Sequence, residues 1–562
     1  MITSLLCLPI LLATAVSPDA DTPADLILRN GTIVTVDDTL GTVQALAARG
    51  DRIVAVGDNA TIDRHRGPGT TVVDLGGRLA IPGFIEGHGH FVGLGRAMTN
   101  LDLTATRSWS AIVSLVRAEA ARAEPGEWIL GRGWHQEKWD RTPPDAVRGF
   151  PTHHALSEAA PDNPVVLTHA SGHASMANQN AMDRAGISAS TADPPGGEIL
   201  RDETGAPIGV FNERAQSLIA AAQTPADATR ARAEMDRAIA LATGECLKKG
   251  VTSFQDAGSS FETIEAFVRH ARDGTLDLRL WVMIRDSNER LRERLPSMSI
   301  RNAGNHRLTV GGLKRTIDGA LGSRGAWLLE PYRDDPANTG LATATVEDVS
   351  ETAALARTHG LQLCVHAIGD RANREVLDLF ERVLAGGPAD HRWRIEHAQH
   401  LHPDDVPRFG RLGVIASMQG IHCTSDAPWV HARLGPERAA SGAYVWRDLL
   451  DSGAVVTNGT DAPVEDVDPI ASFHATVTRQ LADGSVFYGD QRMTRMEALR
   501  AYTISNAFAA FEEADKGTLT PGKLADVAVL SKNILTVPES EIMDARVLMT
   551  IVGGRIVYQG GG

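Results

Sequence analysis

Residues 79–90 read LAIPGFIEGHGH, an apolar run that ends in His88-Gly89-His90. Side chains two apart on a strand point to the same side, so both imidazoles leave its C-terminal end together. Seven further β-rich runs follow: VTSFQDAG (251–258), LRLWVMI (278–284), LTVGGLKRTIDG (308–319), LQLCVHAIG (361–369), WRIEHAQ (393–399), GVIASMQ (413–419) and AVVTNGTDAPV (454–464). Helical stretches lie between several of them, such as EMDRAIALATGECLKK before Gly250 and REVLDLFERVLAGG from Arg374. Eight strands with intervening helices predict an α/β fold, a (β/α)8 TIM barrel.

Outward from the barrel, both ends of the chain are β-rich. Runs such as ADLILRNGTIVTVDD and VQALAARGDRIVAVGD near the start, and GKLADVAVLSKN and ARVLMTIVGGRIVYQ near the end, are punctuated by Asn-Gly and Gly-Asp turns. They predict one composite β-sandwich domain built from residues 24–78 and 506–562. The barrel takes 79–96 and 250–505. The interval 97–249 is far longer than a barrel connection requires and reads as an insertion over the C-terminal face, a lid or substrate-selecting wall.

Residues 1–20 hold an apolar run from Leu5 to Val16, with Ala13-Thr14-Ala15 near its end as an A-x-A cleavage site. This fits a signal peptide and a secreted or periplasmic protein. The run is too short to span a bilayer, and no other segment is long enough, so no membrane span is expected. Four cysteines, one of them in the leader, do not make a disulfide framework. A net charge of -15 excludes a nucleic-acid backbone as a natural partner. The expected partner is a small molecule; a homodimer is compatible with the sequence. Only seven of the 55 basic residues are lysines, so a lysine in an apolar strand stands out: its amine can be neutralised and modified, whereas a guanidinium cannot.

That lysine is Lys314, at the end of LTVGGL. His366 ends LQLCV, His397 ends WRIE, and Asp461 ends AVVTNGT. With His88 and His90 they make four histidines, a lysine and an aspartate at the C-terminal ends of five strands, where TIM-barrel active sites lie. Such a set predicts a metal site, with neutral imidazoles suited to Zn²⁺. A plain Lys314–Asp318 salt bridge is the alternative for the lysine.

The ordered motifs PGFIEGHGH, LKRTIDGALGSRGA, VHAIGDRAN, RIEHAQ, SMQGIHCTSD, GTDAPV and TPGKLADVAVL resemble the metal-dependent amidohydrolase superfamily, in particular its amidohydrolase-3 branch, which includes N-substituted formamide deformylase. The resemblance covers nearly the whole chain after the leader. It implies a hydrolase cleaving a C–N bond of an amide or cyclic amide, with two divalent ions bridged by a carboxylated Lys314. One ion would be held by His88, His90 and Asp461 and the other by His366 and His397, with Asp461 as general base and then acid. Lactone or ester hydrolysis and deamination are alternatives on the same site. A non-catalytic binding protein retaining the fold is the alternative of a different class.

His173 and His422 match positions that contact substrate in this branch, with a structural role as the alternative for each. Trp134 and His135 are candidates to line the pocket, with lid packing as the alternative. Glu213 is a candidate partner of a site residue, and Cys364 reads as a small core residue. His400 and His402 are expected to face elsewhere. Gly420 and Ala462 depart from the branch, which usually has proline and often tryptophan there; both are expected to alter the pocket wall.

Overall fold

The computed structural model describes residues 22–223, 227–388 and 390–560; the leader read over 1–20 lies outside them. The centre is a parallel eight-stranded sheet: β1 (Phe84–Gly89), β2 (Val251–Ser259), β3 (Arg279–Ile284), β4 (Leu308–Thr316), β5 (Gln362–Ala367), β6 (Arg394–His397), β7 (Ile415–Gln419) and β8 (Val456–Gly459). Each strand pairs with the next in sequence, so the sheet is a (β/α)8 barrel. The runs are near-continuously apolar because both faces are covered: all six residues of β3 and of β5 are buried. The helices outside carry their own start and stop signals. Phe261–Asp273, for example, is capped by Ser260 and ends at Gly274 with φ of 71°.

The closing seam between β1 and β8 is built differently from the other seven junctions. Among the described residues, main-chain hydrogen bonds across it lie at its upper end, where Asp461 N donates to His88 O at 2.8 Å and His90 N to Ala462 O at 2.6 Å. Below that, side chains bridge the gap. Glu86 Oε1 accepts from Thr460 N at 2.6 Å, and Asn506 Nδ2 donates to Ile85 O and Asn458 O at 2.6 and 2.8 Å. Glycine is needed on both sides. A Cβ on Gly459 would lie 2.4 Å from Glu86 Oε1, and one on Gly87 would lie 2.5 Å from Asn458 O.

The single strand read over 79–90 is two. Leu79–Pro82 pairs with Val527–Leu530 and Thr32–Val34 in a separate six-stranded sheet, and the chain enters the barrel only after Gly83. That sheet and a four-stranded one (Leu26–Arg29, Ala45–Arg49, Arg52–Gly57, Thr71–Asp74) share an apolar core drawn from both ends of the chain, including Leu28, Leu46, Val527 and Ile551.

Within 97–249, the part with its own fold is a six-stranded sheet from Leu101 to Glu213, with a separate core around Trp134, Leu156 and Leu167. The helix Ala228–Lys248 belongs to the barrel instead: Ala238, Ala242 and Cys246 join the barrel core. It lies so close to helix Phe91–Ala97 that a Cβ on Gly95 would stand 1.9 Å from Ala238 O. Its apolar stripe needs a partner, and the barrel supplies it. Among the described residues no helix is long and apolar enough to cross a membrane.

Candidate metal centre

The strand ends bring His88, His90, Lys314, His366, His397 and Asp461 to one mouth of the barrel. His88, His90 and Asp461 offer ligand atoms that all lie within 4.8 Å of one another. Asp461 Oδ1 is 3.3 Å from His90 Nε2 and 3.6 Å from His88 Nε2. The His397 ring lies 4.7 Å from His88 and 4.5 Å from His366, centroid to centroid. Lys314 Nζ reaches His88 Nε2 at 3.4 Å. Asp461 and His397 hold left-handed backbone, with φ of 57° and 77°, a strained choice for residues with a Cβ that tends to collect at functional sites.

Partners that the sequence reading missed fix the imidazole tautomers. His88 Nδ1 is 2.5 Å from Glu396 Oε2, so Nδ1 carries the proton and Nε2 presents a lone pair to the centre. His397 does the same through Gln419 Oε1 at 2.7 Å. A carboxylate or amide oxygen behind a ligating histidine is a recurrent way to orient it and raise its basicity. Burial works against the Glu396 carboxylate, but Arg394 and His88 beside it outweigh that and hold it well below the usual carboxylate range. Glu396→Gln is therefore expected to weaken metal binding about 10–100-fold, measured by competition with a chromogenic chelator; unchanged affinity would remove Glu396 from the centre.

Burial strips water from Lys314 and, with Arg285 nearby, moves its pKa down to about 8 against the pull of Glu396 and Asp461. The alternative Lys314–Asp318 salt bridge does not form. Asp318 instead accepts the main-chain N–H groups of Trp327, Ile368 and Gly369, with Oδ1 3.4 Å from His366 Nε2. Two buried atoms aimed at the centre, His366 Nε2 and Asp461 Oδ1, have no hydrogen-bond partner. Buried polar atoms are rarely left so. The ligand atoms of His88, His90 and Asp461, gathered within 4.8 Å of one another, fit a divalent cation.

Two cavities meet at the centre, sharing His173, His397 and Asp461 as walls: a wide one of about 770 Å³ and a narrow one of about 50 Å³. His173 lies with its ring 5.1 Å from His366 and its Nδ1 2.8 Å from Glu213 Oε2. Glu213 holds left-handed backbone with φ of 50°, and its Oε1 sits where a Cβ on Gly319 would be 2.0 Å away. His422 borders the narrow cavity. Its Nδ1 accepts from Gln399 Nε2 at 3.0 Å, which leaves Nε2 as the proton-bearing atom, buried and without a partner.

Trp134 is not at the site. It is fully buried in the insertion's core and donates from Nε1 to Leu167 O at 2.8 Å. It is His135, the residue after the strand Ile129–Trp134, that borders the narrow cavity, its ring 4.4 Å from Trp429. Gly420 does not shape the pocket wall either. A Cβ there would stand 2.1 Å from Thr476 Oγ1, so glycine lets helix Gly420–Leu434 pack on helix Pro469–Thr478. Ala462 is fully buried and borders neither cavity. Cys364 packs with Ala257, Trp281 and Met283, and burial pushes its thiol up to about 12. His400 is buried against Tyr444, and His402 is half-buried beside Asp404.

Residues 71–558 match the model of the amidohydrolase family. The protein LONG AFTER FAR-RED 3 of Arabidopsis thaliana is 35% identical over 558 residues, 97% of this chain and 93% of that protein. N-substituted formamide deformylase of Arthrobacter pascens is 28% identical over 546 residues, 95% of this chain and 98% of its own length. The crystal structure of an uncharacterized metal-dependent hydrolase from Pyrococcus horikoshii OT3 superposes with a TM-score of 0.74 at 28% identity, over 92% of this chain and 99% of that one. A barrel whose strand ends gather imidazoles, a lysine and an aspartate, and a family match over most of the chain, lead to one conclusion: this protein belongs to the amidohydrolase family and is a metal-dependent hydrolase of that superfamily.

Proposed function

We propose that the protein hydrolyses a C–N bond of a small amide or cyclic amide, using two divalent ions, zinc by the nature of the donors. His88, His90 and Asp461 would hold one and His366 and His397 the other, with Lys314 shared as a carbamate. The observation that carries this reading is the pair of orphaned buried atoms, His366 Nε2 and Asp461 Oδ1, among imidazoles whose lone pairs face inward. The similarity to N-substituted formamide deformylase supports an amide-type bond.

When bound, the ions polarise a carbonyl and bring the pKa of a coordinated water from 15.7 towards about 7. The remaining work belongs to the chain. Asp461 accepts the proton of the attacking water on its carboxylate and returns it to the leaving nitrogen, acting as base and then acid. His422 donates Nε2–H towards the oxygen on which charge develops, its tautomer set by Gln399. His173, held by Glu213, orients the substrate at the junction of the two cavities. Lys314 is buried, and its hydrogen-bond contact is with His88 rather than a carboxylate. Its Nζ lone pair forms a C–N bond with CO₂ and an N–H proton leaves to solvent, giving an anion that can serve both ions.

Chelation is expected to abolish hydrolysis across a panel of amides, lactones and esters, and Zn²⁺ to restore it, followed by product release at constant protein concentration. If the metal-replete protein turns over no member of the panel, the hydrolase reading gives way to that of a binding protein. If only lactones or esters react, the C–N assignment is lost.

A further inference from the structure

The wide cavity has a charge bias opposite to that of the chain. The protein carries a net charge of -15, yet arginines 96, 132, 214, 285 and 315 all border this one space. They are not equally engaged. Arg315 is spent on the fold, bonding Thr352 Oγ1 at 2.6 Å and Asn288 Oδ1 at 2.5 Å. Arg132 donates to the carbonyls of Pro463 and Ala170 at 3.2 and 3.1 Å. Arg214 and Arg285 are exposed to the cavity, and neither guanidinium has a hydrogen-bond or ion-pair partner among the described residues.

Of the four acids that share the cavity, Asp461 faces the metal centre beside His90 and the other three are engaged elsewhere. Glu213 pairs with His173 at 2.8 Å, Asp286 with Arg290 at 3.0 Å, and Asp348 accepts from Asn288 Nδ2 at 3.0 Å. None of these carboxylates forms a hydrogen bond or ion pair with the Arg285 guanidinium. Enclosure disfavours its charge, and so does Arg214 close by, with Glu213 a partial offset. Like charges close together repel, and an oxyanion bound by both guanidiniums relieves each.

Arg285 is also well positioned relative to the chemistry. It follows the last residue of β3, and its stem and that of Lys314 flank Gly258. A Cβ on Gly258 would lie 2.9 Å from Arg285 Cβ and 3.3 Å from Lys314 Cγ, and the φ of 128° suits glycine alone. The cation is therefore mounted on a strand end beside the metal centre, where positions are held more closely than on a loop. On the other side of the centre, the narrow cavity of about 50 Å³ leaves room for only a small group.

We propose that the substrate carries a carboxylate on the portion occupying the wide cavity, bound by Arg285 and Arg214, with its small end in the narrow cavity beside His422. This deepens the hydrolase reading, which supplies the reacting bond at the centre. Anion recognition itself does not require turnover, so binding and hydrolysis test the two ideas separately. N-acetyl amino acids, their carboxamides and the matching N-acetyl aminoalkylphosphonates are titrated calorimetrically into the metal-replete full-length protein, and each is then assayed for hydrolysis. The carboxylates are expected to bind at least about tenfold more tightly than the carboxamides, the order expected of a charge-assisted bidentate pair. That preference should shrink as salt is raised and collapse in Arg285→Met and Arg214→Met, each checked for unchanged metal content and melting temperature.

Equal binding of carboxylate and carboxamide overturns the proposal. So does a preference that survives in the double variant, because the ions alone would then be holding the anion. Tighter binding of the phosphonates overturns the carboxylate assignment. Selective carboxylate binding without hydrolysis of any amide leaves this inference standing and removes the hydrolase reading; hydrolysis of neutral amides without preference does the reverse.

Discussion

Asp461→Asn is expected to lower kcat by about three to four orders of magnitude while leaving the protein folded. Positioned general acid–base groups contribute roughly 10²–10⁴-fold, and this residue serves two proton transfers in one turnover. Asparagine keeps the shape but cannot take the proton, and it loses the charge that faces His88 and His90. The wild-type carboxyl is an anion: burial pushes its pKa up, but contact with His90 and the fields of His88 and His397 outweigh burial and hold it well below the usual range. The fold should tolerate the change, since the nearest polar neighbours of Asp461 Oδ1 are ring nitrogens of His90 and His88 in the site itself and the main-chain bond from its N to His88 O is untouched. Turnover and bound metal are measured together; an Asp461→Asn variant working within tenfold of the parent would falsify the proton-transfer role.

Lys314→Ala should remove metal and activity together. Lewis-acid stabilisation is worth several kcal/mol, and ~4 kcal/mol corresponds to about a thousandfold in rate. The alanine leaves a gap beside His88 and Cys364 that a short-chain carboxylic acid can enter. Added acetate or propionate is expected to restore part of the metal content and part of the rate, standing in for the carbamate. Metal analysis before and after addition, alongside turnover, separates the possibilities. Full metal content in the unsupplemented variant would sink the carbamate, and a variant that regains neither metal nor rate would speak against a bridging anion.

Much of the barrel was readable because its physics is local. Strands covered on both faces appear as apolar runs, and a polar residue ending such a run emerges at the barrel mouth; that logic located His88, His90, Lys314, His366, His397 and Asp461. What escaped depends on contacts between distant segments. Nothing in LAIPGFIEGHGH marks the exchange of sheets at Gly83, because both halves are apolar and strand-like. Helix Ala228–Lys248 looks like the end of an insertion until its stripe is seen against the barrel. Glu396 left a faint trace, an acid two residues after Arg394 in the buried strand RIEH, where an unpaired carboxylate does not survive burial. Gln399 and Gln419 left none, since an amide carries no sign of the histidine it will orient. Trp134 and His135 were separated only by where the strand ends, which is fixed by a pairing that the sequence does not display.

The β1–β8 seam also determines the tolerance of the site. His88 and His90 stand on one side of the joint and Asp461 on the other, so the spacing of these three donors is the width of the joint itself. Two bridging side chains, Glu86 and Asn506, set that width, and Glu86 bonds a residue 374 positions away in the chain. A barrel strand locked by a full ladder cannot slide; one held by two main-chain bonds at its upper end and by an amide and a carboxyl below has fewer restraints on its spacing. Residues that touch no ligand atom thereby act as the caliper of the site: trimming Asn506 would be felt as looser donor spacing long before it was felt as lost fold.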